Sequence, residues 1–265
     1  MKKLSILACV LLVLVLGSLP VTAITWGELD TTHTNVGAMV VDYEGYGLWQ
    51  RCTGTLIHPR VFLTAGHCTD GIEDEEGILA VSVAFSENAL DASAQLPVAE
   101  IVTHPDYGWG SPDPHDVAVL VLEEPVEDIP LANLPEEGLL DGLKKAGALR
   151  QGPDGVKFTV VGYGGTLSWP PPEIVYDDLR RWAESEYIAL TKVWLHMSQN
   201  RLKDDAGTCF GDSGGPAFLE HEGEEYVVGI TSWGDAQCIA TGFDYRVDVP
   251  GTLTFIQGVI DGLGN

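Results

Sequence analysis

The stretch "CFGDSGGPAFL" (residues 209–219) holds one serine, Ser213, among glycines at 211, 214 and 215, with Asp212 directly before it and Cys209 further upstream. Glycine loses more backbone freedom on folding than any other residue. So dense a set is expected where the chain turns tightly or brings its own backbone close to another group. A serine hydroxyl is a poor nucleophile at neutral pH. It becomes reactive when a base takes its proton and a third group orients that base. The stretch therefore asks which histidine and which acid elsewhere in the chain complete it.

Seven histidines are present. "LTAGHC" (63–68) places His67 after an Ala65-Gly66 turn at the end of an apolar run, beside Cys68. "HDVAVLVL" (115–122) places Asp116 at the mouth of another apolar run. An acid there needs a partner, because burying it bare is costly. Taken singly, each motif has a plainer reading: a core histidine with a backbone partner, and a turn residue at a strand entry. "GDSGG" also fits G-x-S-x-G, the nucleophile elbow of α/β-hydrolases. That arrangement needs its acid and histidine after the serine. After Ser213 the only histidine is His221, in the acidic turn "EHEGEE", and the chain lacks alternating strands and helices. The elbow is rejected.

The rest of the chain bounds the answer. Lys2 and Lys3, the apolar run Leu4–Leu16 and the small residues Val21-Thr22-Ala23 read as a signal peptide over 1–23, cleaved before Ile24. The apolar run is short for a membrane span. Five cysteines become four when Cys9 leaves with the leader, an even number that suggests two disulfides in an exported protein, with three pairings open. The formal charge of −25 disfavours nucleic acid and anionic membrane as partners. The acidic run Glu73–Glu76 lacks the spaced oxygen ligands of a calcium loop and reads as solvated. Short apolar runs at 37–42, 53–66, 78–85, 116–122, 157–164, 187–197, 215–219 and 225–234 predict a mainly antiparallel β protein. A short helix is expected within 135–149. Ile256, Val259, Ile260 and Leu263 mark one face of a terminal helix.

The order His67, Asp116, Ser213, each in its own strand-loop setting, resembles the trypsin-like, chymotrypsin-fold serine proteases. "LTAGHC", "HDVAVL" and "GDSGGP" resemble that family's catalytic motifs, and "TSWG" (231–234) its substrate-binding strand. The resemblance runs from about Ile24 to the terminal helix. It implies an all-β fold of two antiparallel six-stranded barrels with a short C-terminal helix: one barrel at about 24–125, a connection at about 126–154, a second barrel at about 155–250 and the helix at about 251–263. It implies Ser213 as nucleophile, His67 as general base and then acid, and Asp116 as the acid that fixes the histidine tautomer. The N–H groups of Gly211 and Ser213 would form the oxyanion hole. Disulfides Cys52–Cys68 and Cys209–Cys238 are implied, whereas a further one common in relatives is absent, because 170–200 has no cysteine. "WPPPEI" (169–174) is an unusual loop in that region. No metal or organic cofactor is expected. The expected partners are polypeptide substrates and protein protease inhibitors, for a secreted monomer with no membrane attachment after leader cleavage. The alternative is a catalytically silent, protease-like binding protein.

Two finer expectations follow from the resemblance. Ile24, freed by leader cleavage, would fold inward and pair its amine with Asp212, although "ITWG" only partly resembles the usual family start; a short propeptide removed further on is the competing reading. The substrate pocket would be formed by Gly207, Thr208, Ser232, Trp233, Gly234 and Gly242. Gly207 stands where an acid selects Arg and Lys, so apolar or aromatic residues are expected before the cut bond. Asp244, in "TGFDYRV", stands where relatives often have tyrosine. Turned inward, it would restore a taste for basic residues. Turned to solvent or bonded to backbone, it leaves the apolar expectation in place.

Overall fold

The structure is a computed structural model that describes residues 24–152, 154–168, 173–203 and 205–264. The leader, and residues 169–172 of "WPPPEI", lie outside the described residues. After a two-residue strand β1 (Glu28–Leu29), six strands close a first antiparallel barrel: β2 (Val36–Tyr43), β3 (Gly47–His58), β4 (Val61–Thr64), β5 (Ile78–Ala84), β6 (Gln95–Thr103) and β7 (Ala118–Leu122). Their spatial order is β2-β3-β4-β7-β6-β5, and β5 pairs back onto β2. The second barrel begins with β8 (Lys157–Gly162). The hairpin β9 (Thr166–Ser168) and β10 (Glu173–Val175) projects from it. It continues through β11 (Arg181–Leu190), β12 (Trp194–Ser198), β13 (Pro216–His221), β14 (Glu224–Gly234) and β15 (Thr241–Arg246), and β8 closes onto β11. Closure leaves neither barrel with an open edge.

Apolar side chains explain why these segments are strands. β4 and β7 pair with each other and are buried along their whole lengths. Phe62, Leu120 and Leu122 are almost wholly out of solvent. Burial of a side chain of this size stabilises by about 1.5–3 kcal/mol. Among the described residues the α-helices are a single turn α1 (Gly66–Thr69), α2 (Leu139–Lys145) and the terminal α3 (Pro250–Gly262). On α3, Ile256 is buried, and Val259 and Ile260, with Leu263 just past its end, pack against the core, as the helical spacing predicts.

Some segments depart from the sequence reading. The run 187–197 is two strands, broken where the Trp194 amide donates to Thr191 Oγ1 (3.0 Å). The helix within 135–149 is shorter than the segment, starting after Gly138 and ending at Lys145. β1 lies on β11 of the second barrel, so the first described residues belong in space with the barrel that follows the connection. The two barrels are clamped by Arg180, just before β11. Its guanidinium donates to Asp30 Oδ2 (3.0 Å) and to the carbonyls of Phe85 (2.9 Å) and Val36 (3.2 Å) in the first barrel.

Candidate active site

Each of the three residues picked from the sequence sits at the end of a structural element. β4 stops at Thr64 and the chain coils into α1, which carries His67. That turn is held by the Thr69 hydroxyl on Gly66 O (3.1 Å) and by the Cys52–Cys68 disulfide to β3. Asp116 precedes β7 and is completely buried. Its Oδ1 accepts from the His67 amide (2.8 Å), and His67 Nδ1 lies 2.9 Å from Oδ2. The Ser232 hydroxyl also donates to Oδ2. Burial alone would raise the Asp116 carboxyl. The His67 ring, its charge, the Ser232 hydroxyl and the His67 amide together hold it below the ordinary value. A carboxylate only accepts, so Nδ1 carries the proton and Nε2 is left as the basic nitrogen.

His67 and Ser213 line one pocket of 330 Å³ between the barrels. Among the described residues Ser213 Oγ makes no hydrogen bond, so hydroxyl and imidazole share the pocket without closing a bond. Such contacts commonly tighten only around substrate. The turn bearing the serine needs its glycines. Gly211 has φ +98°, and Gly214 has φ +82° and lies so close to β3 and β4 that a Cβ would meet Thr64 Oγ1 at 2.1 Å. Phe210 O accepts from the Gly165 amide (2.8 Å), and Asp212 O from the Gly215 amide (2.8 Å). In a trans peptide the N–H points opposite its carbonyl. The amides of Gly211 and Ser213 therefore point away from these anchors, and neither donates to a described protein acceptor.

Asp212 turns away from the pocket into the second barrel and is completely buried. It accepts from the amides of Gly164 (2.7 Å) and Cys209 (2.8 Å). Burial pushes its carboxyl up to about 7, and the two amides offset only part of that. Among the described residues no cation pairs with it. Ile24 is also completely buried. Its neighbour Thr25 docks on Gly207, with amide and hydroxyl both donating to Gly207 O at 2.9 and 3.0 Å.

Of the expected pocket residues, Thr208, Ser232, Trp233 and Gly234 line the pocket, walled also by Cys209 and Cys238, which are joined as a disulfide. Gly207 and Gly242 do not line it. The side chain of Gln199 lies against both: a Cβ on Gly207 would meet its Cγ at 2.2 Å, and one on Gly242 its Nε2 at 2.7 Å. Gln199 donates to Thr208 O (3.0 Å) and Oγ1 (3.1 Å). Sequence reading missed it, since one glutamine in "MSQN" has no periodicity or motif to mark it. Sequence reading also allowed Asp244 a place in solvent or on backbone, and the structure corrects this. Asp244 is completely buried inside the second barrel against Gly229, and among the described residues neither oxygen has a hydrogen-bond partner. Burial pushes it up to about 8, against a smaller lowering by the neighbouring Thr231 hydroxyl. It is not on the pocket lining. Trp233, at the pocket rim, stacks on Phe243 with centroids 3.8 Å apart.

A family model described as Trypsin matches residues 26–250. The chain belongs to the trypsin family, and it is a serine endopeptidase. It is 29% identical over 196 residues to a protein named trypsin from Saccharopolyspora erythraea, covering 70% of this chain and 76% of that one. It is 28% identical to a trypsin of Phaedon cochleariae, covering 74% of this chain and 76% of that one. It is 27% identical to vitamin K-dependent protein C of Mus musculus, covering 79% of this chain but 46% of the longer relative.

Proposed function

We propose that this serine protease is secreted and cleaves after apolar or aromatic residues, with Ser213 as nucleophile, His67 as base and Asp116 as the buried acid. The observation that carries this is His67, held by buried Asp116, sharing one pocket with Ser213, with the Gly211 and Ser213 amides finding no acceptor among the described residues. Ser213 Oγ attacks the substrate carbonyl carbon while His67 Nε2 takes its proton. The carbonyl oxygen becomes an oxyanion that accepts from the Gly211 and Ser213 amides. The imidazolium is stabilised by Asp116 and gives its proton to the leaving amine, freeing the first product and leaving an acyl-serine. Water, deprotonated by the same nitrogen, releases the second product and regenerates the hydroxyl. Ser213→Ala and His67→Ala test the assignment, which fails if a folded Ser213→Ala protein keeps its turnover. No observation favours the silent binding protein.

The apolar preference is supported by the pocket walls and by the neutral amide of Gln199 behind Thr208. Asp235 lines the mouth, but its carboxylate accepts from the amides of Ile239, Ala240 and Thr241. Among the described lining residues Asp235 at the mouth is the one carboxylate, so an arginine reaching the depth of the pocket would lie there without a paired counter-charge. Two chromogenic peptides differing only in Phe or Arg before the cut bond decide it. Faster cleavage after Arg, abolished by Asp244→Asn, would overturn the apolar preference.

Leader cleavage after Ala23 is proposed to release the Ile24 amine as the partner of Asp212. The support is a buried carboxylate without a cation, together with a buried Ile24 whose neighbour is docked on Gly207. A free α-amine has a pKa of about 7.7–8.0, and pairing raises it. Activity then fades at alkaline pH as the amine loses its proton. Amino-terminal sequencing of secreted, active protein should read Ile-Thr-Trp-Gly, and any other start removes the model. The division at about 24–125 and 155–250 is retained as a functional partition, each barrel supplying one side of the cleft.

A further inference from the structure

Gly211 O, at the centre of the serine turn, is held by two side chains of the opposite barrel. Gln50 Nε2 donates to it at 2.8 Å and Thr53 Oγ1 at 2.9 Å. Both residues lie on β3 and are buried. They reach the turn for a local reason. The pairing of β2 with β3 skips Arg51, since Met39 faces Cys52 while Val40 faces Gln50. Such a bulge twists the strand and re-aims the side chains beside it. Gln50 is steadied by a second bond to Cys52 O (2.9 Å). Thr53 is tied at every polar atom: its amide donates to Ser213 O (2.8 Å), its hydroxyl accepts from the Tyr163 amide (3.2 Å), and its carbonyl accepts from the Thr64 hydroxyl (2.8 Å).

This carbonyl matters because of where its peptide lies. The Gly211–Asp212 peptide joins the two units whose N–H groups, those of Gly211 and Ser213, have no acceptor among the described residues. Glycine at 211 gives the turn its positive φ, but it also removes the side-chain sterics that would keep the peptide from rotating. Any rotation of this peptide swings the two donors relative to each other. Two hydrogen bonds on one oxygen resist that rotation.

We propose that Gln50 and Thr53 are positioning residues that hold the oxyanion hole in register by fixing the Gly211 carbonyl. The proposal rests on the reading of Gly211 and Ser213 as oxyanion donors. It makes the first barrel a contributor to transition-state binding as well as the carrier of His67 and Asp116.

The test compares native protein with Gln50→Leu, Thr53→Val and Thr53→Ser in kcat, KM, melting temperature and inhibition by a peptidyl trifluoromethyl ketone. The adduct of that inhibitor carries an oxyanion where the transition state does. Loss of an oxyanion donor itself costs about 10²–10³ in kcat, so a misaligned pair should cost about tenfold or more. The Leu and Val variants should lose kcat by that factor, bind the ketone more weakly by the same factor, and keep KM within about twofold. Thr53→Ser, which keeps the hydroxyl, should recover most of the loss. A purely structural role would lower the melting temperature without changing the ketone affinity of the folded fraction. If Thr53→Val does not fold, Gln50→Leu carries the same expectation. The clamp is overturned if native protein is inhibited by the ketone and folded variants are inhibited equally with unchanged kcat. If the native protein itself is not inhibited, the oxyanion reading fails first, and the proposal falls with it.

Discussion

At the scale of single residues, the chemistry depends on how each buried carboxylate is treated. Asp116 has three donors and is ionised. Asp212 has two backbone amides. Asp244 has none. Ser232, expected only to touch substrate, also donates to Asp116. Ser232→Ala should lower kcat by about tenfold, because it removes one hydrogen bond to the group proposed to orient the base. Steady-state kinetics on one peptide substrate checks this. The proposed triad should respond as a unit, with Ser213→Ala or His67→Ala costing about 10⁴–10⁶-fold in turnover. Asp244 gives a stability prediction. Burial raises its pKa to about 8 from an ordinary 3.8. The folded protein therefore holds this proton more tightly than the unfolded chain does. The resulting stability is complete below about pH 4 and is lost as pH rises through 8. Asp244→Asn should raise the melting temperature at pH 8 and bring no gain at pH 4; an equal effect at both would sink the argument.

At the scale of elements, the limits of sequence reading have physical causes. β4 and β7 were legible because they are unbroken apolar runs buried along their length. β6 was not, because Pro97 and Glu100 interrupt its pattern on a strand whose residues are half-buried or exposed. β15 was hidden for the opposite reason. "TGFDYR" carries an acid and an arginine, yet both are buried. Arg246 is accommodated by Asp248 at 2.9 Å and Asp141 at 2.8 Å, partners from outside its strand that no local pattern announces. The three motifs that carry the proposed site stand out in the sequence because each is a short local signal. Gln50, Thr53 and Gln199 do not, since each acts across barrels or strands through one side chain. Leu120, wholly buried on β7, tests the element that presents Asp116. Leu120→Ala should destabilise by about 2–5 kcal/mol in denaturant unfolding, and a loss under 1 kcal/mol would mean that β7 is not a core strand.

At the scale of the whole molecule, the cleft exists only while the barrels keep their relative position. Arg180, paired with buried Asp30, is one buried link between them through the Val36 and Phe85 carbonyls, and His33 shares the Asp30 carboxylate at 2.9 Å. Removing Arg180 takes one of two cations from a buried carboxylate that His33 and Thr32 still face, so Arg180→Ala should cost about 3 kcal/mol in unfolding free energy, the low end for a broken buried pair. His33 adds a pH signature. Burial alone would lower its pKa, but Asp30 and Glu225 raise it to about 9 from an ordinary 6.5. Its contribution to stability is complete below about pH 6.5 and disappears as pH rises through 9. His33→Asn should therefore lower the melting temperature at pH 6 and have little effect near pH 10.

The central claim is that Ser213 is a nucleophile activated by His67. Its most direct measurement is reaction of the secreted protein with a serine-directed phosphonate, with the adduct located by peptide mass spectrometry. One adduct is expected, on Ser213, formed by native protein and slowed by about 10⁴-fold or more in folded His67→Ala. An adduct on another residue, or undiminished labelling without His67, would contradict the account.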